Sequence, residues 1–216
     1  MRTLSIRTPT HGRVLIADRG SPAGLVVAFH GYGQAAEEML EEVQRIPGAD
    51  RWQIASVQAL HRFYTRSDRR VVASWMTRQD RDAAIADNVE YVARVTRELR
   101  RDEALPLVFV GFSQGASMAY RAAALGADEA SGVIALAGDI PPEVRAGVAA
   151  RAWPRVLVGA GRRDDWYTAA KVDEDEAVLE AAGATYAIAR FDGGHEWTSE
   201  FRAEAGRMLE DIAAAG

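Results

Sequence analysis

The sequence predicts an α/β fold: a mostly parallel central sheet, opened by an N-terminal hairpin, with helices on both faces. Two observations lead there. Short continuous apolar runs such as Leu25–Phe29, Leu107–Val110 and Val133–Ala137 have the composition of strands buried on both faces. Between them lie longer segments with apolar residues at threes and fours, most clearly Asp82–Arg100 with Ile85, Val89, Val92, Val95 and Leu99. Strands and helices in alternation make parallel sheets, because each crossover helix returns the chain to the same end of the sheet.

The elements follow in order. Leu4 and Ile6, then Val14, Leu15 and Ile16, flank a turn with Pro9, His11 and Gly12, and are expected to form the hairpin. Strand Leu25–Phe29 ends at His30-Gly31-Tyr32-Gly33-Gln34, and Ala35–Arg45 has helical spacing. Trp52–Val57 reads as the next strand. Residues 58–80, rich in Arg and aromatics, are expected to be a long irregular loop. The helix over Asp82–Arg100 precedes strand Leu105–Val110, a turn at Gly111–Gly115 and a small-residue helix over Ala116–Leu125. Strands at Val133–Ala137 and Arg155–Gly159, a helix at Val172–Ala182, a strand at Thr185–Phe191 and a helix at Glu200–Ala213 complete the chain.

The chain has 216 residues, 48% of them hydrophobic, which is enough for one buried core. No linker or repeat divides it, so residues 1–216 are expected to form one domain. The net charge of -5, with both signs interspersed, argues against a nucleic-acid partner. The absence of cysteine excludes disulfides, thiolate catalysis and Cys-ligated zinc. Met1-Arg2-Thr3-Leu4 does not open an apolar leader, and no run reaches the length of a membrane span. The expectation is a cytoplasmic protein without stable membrane association; oligomeric state stays open.

Gly111-Phe112-Ser113-Gln114-Gly115 carries the chemistry. It matches G-x-S-x-G between a buried strand and a helix, where a serine on a tight, strained turn projects its hydroxyl from the top of the sheet. The glycines let neighbouring backbone pass close by, and the helix N-terminus favours developing negative charge. Upstream, the loop His30-Gly31-Tyr32-Gly33 is placed to supply one oxyanion N–H, with the second from the residue after the serine, which names Tyr32 and Gln114. Of four histidines, His195 alone follows Ser113, as the order serine, acid, histidine requires. Asp164 is the expected acid after the strand ending near Gly159; Asp165 is its adjacent rival, and Asp139 and Asp192 are outsiders. No HExxH, P-loop or dinucleotide fingerprint occurs, so neither metal nor cofactor is expected.

These segments, with Val27–Gly33, G-F-S-Q-G at 111–115, Gly161-Arg162-Arg163-Asp164 and Gly193-Gly194-His195, resemble the phospholipase/carboxylesterase family of the α/β-hydrolase fold, which includes bacterial carboxylesterases and acyl-protein thioesterases. The resemblance runs nearly the whole chain in order, and its G-x-x-D spacing favours Asp164. The chain departs from the family pattern at Gln34, where an acidic residue is usual, at Gln58–His61, where a proline-rich segment is common, and at Thr77, where the aspartate of a W-x-D element beginning at Trp75 would stand. These departures fall in loops that shape the acyl pocket. Phe63, Trp75, Met76 and Trp166, with Tyr64, are candidate pocket residues, each equally explained as loop packing. Arg62, Arg66, Arg69, Arg70, Arg78 and Arg81 make the same region basic; they are expected to form a solvated face rather than a carboxylate site.

The reading is a serine carboxylesterase for small-molecule esters. A thioesterase, lysophospholipase or peptidase would use the same triad, and a catalytically silent hydrolase-fold binding module is the alternative of another class.

Overall fold

The computed structural model of the chain describes residues 2–100, 102–147 and 152–215. Its strands are β1 (Arg13–Ala17), β2 (Leu25–Phe29), β3 (Gln53–Gln58), β4 (His61–Tyr64), β5 (Val71–Ser74), β6 (Leu107–Phe112), β7 (Gly132–Leu136), β8 (Arg155–Gly161) and β9 (Tyr186–Phe191). The helices are α1 (Ala36–Gln44), α2 (Arg81–Leu99), α3 (Gln114–Leu125), α4 (Pro142–Ala146), α5 (Ala169–Ala181) and α6 (Ser199–Ala215). Seven strands form one sheet in the order β1-β3-β2-β6-β7-β8-β9. All its pairings are parallel except β1 with β3.

The apolar runs stand in the sheet centre because both of their faces are covered. Val26 and Ala28 of β2 face a core with Met39 and Val43 of α1 and Phe201 and Leu209 of α6. Val27 and Phe29 face the opposite core, with Val92 of α2, Met118 and Ala119 of α3, and Val172 and Leu179 of α5. The period-two alternation of a strand thus feeds two cores. Burial of this kind is the main favourable term in the fold, at roughly 25 cal/mol per Å² of apolar surface removed from water.

The N-terminal hairpin is corrected. β1 has no partner among residues 2–12; it pairs antiparallel with β3, Arg13 opposite Gln58 and Ala17 opposite Ile54. Leu4 and Ile6 are 68% and 70% exposed, so the upstream segment has no apolar face to bury, and Pro9 cannot donate to a ladder. The long loop expected over residues 58–80 is also corrected: β4 and β5 pair antiparallel in a separate two-stranded sheet, His61 opposite Ser74 and Tyr64 opposite Val71. The main sheet holds this small one through Gly33 and Gln34, whose backbones exchange hydrogen bonds with Ala73. Helix α4 was not expected. Among the described residues no helix is long and apolar enough to cross a membrane.

Candidate active site

Ser113 stands between β6 and α3 with φ 55 and ψ −119, a conformation that L-residues rarely adopt. The surrounding structure enforces it. The Ser113 N–H donates to Leu136 O at 2.8 Å. A Cβ on Gly111 would lie 2.1 Å from Gly115 O, and one on Gly115 would lie 2.0 Å from Phe29 O. The two glycines thus let the turn close against β2 and against itself. Gly115→Ala is expected to destabilise the protein by about 1–3 kcal/mol through overpacking against rigid backbone, read by chemical denaturation. A wild-type midpoint would contradict the tight closure.

His195 lies beyond β9 and Asp164 beyond β8. Their loops press together: the N–H groups of Arg162 and Arg163 donate to Phe191 O and Gly193 O at 3.0 and 2.9 Å. His195 Nε2 is 2.8 Å from Ser113 Oγ, and His195 Nδ1 is 2.8 Å from Asp164 Oδ2. Asp164 is buried, and its Oδ1 accepts the N–H groups of Trp166 at 2.8 Å and Tyr167 at 2.9 Å. Asp165 is exposed. Asp192 points away and pairs with Arg163. The imidazole packs on Phe112, ring centroids 5.1 Å apart.

The His30–Gln34 loop is pinned by a buried imidazole. His30 Nε2 accepts the Ala59 N–H at 3.1 Å, so its Nδ1 carries the proton and donates to Gly31 O at 2.7 Å. Burial pushes this histidine's pKa down, which suits the neutral form. Gln34 Oε1 accepts the Gly31 N–H at 2.7 Å, and the Gly33 N–H is taken by Ala73 O at 3.0 Å. The N–H of Tyr32 is left without a partner among the described residues, as is that of Gln114, the first residue of α3. Two departures from the family pattern therefore have structural work: Gln34 shapes this loop, and Gln58 Oε1 accepts the Ala36 N–H at 2.8 Å.

A cavity of about 320 Å³ opens beside Ser113 and His195. Met76, Gln114 and Trp166 line it, as do Asp139, weighed in the sequence only as an outsider for the acid, and Ser117, Arg121 and Lys171, which the sequence did not single out. The available signal was the four-residue spacing of Ser117 and Arg121 on the helix that follows Ser113, since residues four apart share a helix face. Trp166 is 76% exposed at this cavity. Trp75 does not reach it, a correction: it is 1% exposed, packs edge-on to Phe29 and donates Nε1–H to His30 O. An indole with a backbone acceptor at hand is more stable in the core than on a loop. Phe63 is likewise outside the lining and stacks beside the exposed Tyr32 ring, centroids 5.5 Å apart. Tyr64 is exposed under the guanidinium of Arg69. His11 and His61 are exposed.

Behind the cavity, buried Asp175 accepts from Ile140 N–H, Tyr167 O–H and the Arg145 guanidinium. Burial raises its carboxyl to about 6 against the pull of these donors. Because Tyr167 also donates its N–H to Asp164, this cluster ties α5 to the loop that holds Asp164. Among the described residues no three His, Asp or Glu side chains are grouped as a metal site.

A model of the phospholipase/carboxylesterase family matches residues 11–158, a span that includes the His30–Gln34 loop and the Ser113 turn and ends before Asp164 and His195. Similar solved structures include esterase PE8 (23% identity, 93% of this chain and 98% of that one, TM-score 0.75). Others are acyl-protein thioesterase 2 of Zea mays (17%, 94% and 100%, 0.73) and the carboxylesterase of Bacillus cereus (16%, 93% and 94%, 0.72). At these identities the likeness is one of fold. No curated protein sequence matches the chain. With its α/β-hydrolase-like sheet and a family model matched over well over half its length, the chain belongs to the phospholipase/carboxylesterase family and is a hydrolase of that type.

Proposed function

We propose that the protein is a serine carboxylesterase for small, short-acyl esters, with Ser113 as nucleophile, His195 as general base and acid, and Asp164 as the orienting carboxylate. The observation that carries this reading is the unbroken line of hydrogen bonds from Ser113 Oγ through His195 to Asp164, with the serine on a strained turn.

In the cycle, Oγ attacks the ester carbonyl carbon as His195 Nε2 takes its proton, and the carbonyl electrons move onto oxygen. The free N–H groups of Tyr32 and Gln114 serve that oxyanion; each such donor is worth about 10²–10³ in rate. Collapse expels the alcohol, protonated by His195, and leaves an ester on Ser113. Water, deprotonated by His195, attacks that ester, releases the acid and restores the serine. Asp164 keeps the proton of neutral His195 on Nδ1 and offsets the charge of the imidazolium. Every proton and electron pair is handled by the chain's own groups, so the cycle calls for no cofactor.

The cavity supports a short acyl group: at about 320 Å³ it is near the lower end for ligand pockets, and Ser117, Arg121 and Asp139 set polar groups in its mainly apolar lining. Thioester cleavage by the same attack is the second reading, favoured by the structural likeness to a plant acyl-protein thioesterase. A series of p-nitrophenyl esters from acetyl to palmitoyl, with one matched thioester, tests both. The expected kcat/KM peaks on acetyl or butyryl esters and falls steeply beyond. A long-chain peak would contradict the short-acyl reading, and a strong preference for the thioester would move the assignment to thioesterase.

A further inference from the structure

Ser117 and Arg121, on one face of α3, line the same cavity as Ser113, the residue that precedes the helix. Ser117 and Arg121 are four residues apart, about 6 Å along the axis. Long helical side chains lean towards the N-terminus, and the Arg121 side chain borders the cavity that Ser113 also lines.

Arg121 is 2% exposed. Its Nε donates to Glu143 Oε1, and its Nη2 lies 3.9 Å from the sulfur of Met76, a weak acceptor that lines the same cavity. Its Nη1 has no hydrogen-bond partner among the described residues. A guanidinium carries five N–H donors and cannot shed its proton, so burial leaves a demand for acceptors that one carboxylate does not meet. Glu143 is moreover shared with Arg81. Burial presses against the charge of Arg121 more strongly than Glu143 supports it. Lys171 adds a cation to the lining and Asp139 a carboxylate. Arg81 also pairs with Asp82, so the cations and carboxylates here are equal in number; what calls for an acceptor is the unmet Nη1 donor of Arg121.

We propose that Arg121 makes this cavity a subsite for a carboxylate carried by the substrate several bonds from the scissile carbonyl, so that the preferred esters are carboxylate-bearing rather than plain alkyl esters. The proposal rests on Ser113 being the nucleophile. It also separates Arg121 from the exposed arginines around β4 and β5, of which Arg70 pairs with Asp68 and Glu38 and Arg69 lies over Tyr64.

Two substrate pairs test it, each a carboxylate-bearing ester with its neutral counterpart. Monomethyl glutarate against methyl pentanoate places the carboxylate on the acyl side. 4-Acetoxybutanoate against butyl acetate places it on the alcohol side. The wild type is expected to favour the charged member of one pair by about tenfold or more in kcat/KM, as a hydrogen-bonded charge pair would give. Arg121→Gln should erase that ratio and Arg121→Lys keep part of it, since a point charge replaces the fork. The wild-type ratio needs no variant to fold. Equal rates within both pairs, or a preference that persists in Arg121→Gln, would overturn the subsite while leaving the esterase reading intact. No Ser113-dependent turnover of any of the four esters or of p-nitrophenyl acetate would overturn the esterase reading, and the subsite with it.

Discussion

Ser113→Ala is expected to lower kcat on p-nitrophenyl acetate by about 10⁶-fold, the scale of loss when a serine nucleophile is removed. The loss is chemical, because alanine keeps the turn. The N–H of residue 113 still donates to Leu136 O, and alanine is held at the same positive φ by the close packing that Gly111 and Gly115 allow. The one side-chain contact removed is that with His195 Nε2. Stability should therefore shift by less than about 1 kcal/mol, as substitutions that open no cavity and strand no buried polar group usually do. Hydrolysis and a denaturant melt on one preparation check both. A folded variant with wild-type turnover would remove Ser113 from the mechanism.

Asp164→Asn is expected to lower kcat by about 10⁴-fold. The backbone decides why. Asp164 Oδ1 accepts the N–H groups of Trp166 and Tyr167, so in the variant the amide oxygen must stay on that side. The amide NH₂ then faces His195 Nδ1, where Oδ2 now accepts. A donor there forces the imidazole into the other tautomer, with its proton on Nε2, and that nitrogen can no longer take a proton from Ser113. Asp165→Asn should leave kcat within about twofold, since Asp165 is exposed and surface substitutions away from a site usually change little. The two variants, assayed side by side on p-nitrophenyl acetate, give the ranking. The reverse order would move the acid to Asp165.

Much of this was legible in the sequence, for physical reasons that also mark where legibility stops. The turn at 111–115 could be read because its constraints are local: a buried strand, two glycines and a helix start lie within a dozen residues. The β6–α3 junction and the sheet centre follow from uninterrupted apolar runs. β4 was hidden because His61–Tyr64 is exposed at every position and carries an arginine, so no alternation marks it. The hairpin failed for the opposite reason: Leu4 and Ile6 look like strand residues but have no surface to cover. Trp75 looked like a pocket residue on a loop, yet the acceptor that draws its indole inward is the carbonyl of His30, 45 residues away. Arg121 offered only its four-residue spacing from Ser117, because its partner Glu143 and its neighbour Met76 are distant in sequence and meet it only in the fold. The choice between Asp164 and Asp165 likewise turns on which side chain the loop buries, a tertiary matter.

The central claim is that the hydroxyl of Ser113 is an activated nucleophile. The direct measurement is reaction of the native protein with a fluorophosphonate probe, followed by intact-mass and peptide mass spectrometry. The account predicts a single adduct, mapped to Ser113 and strongly slowed in His195→Ala, where the base is gone. A folded wild-type protein that takes up no probe, or takes it up on another residue, would contradict it.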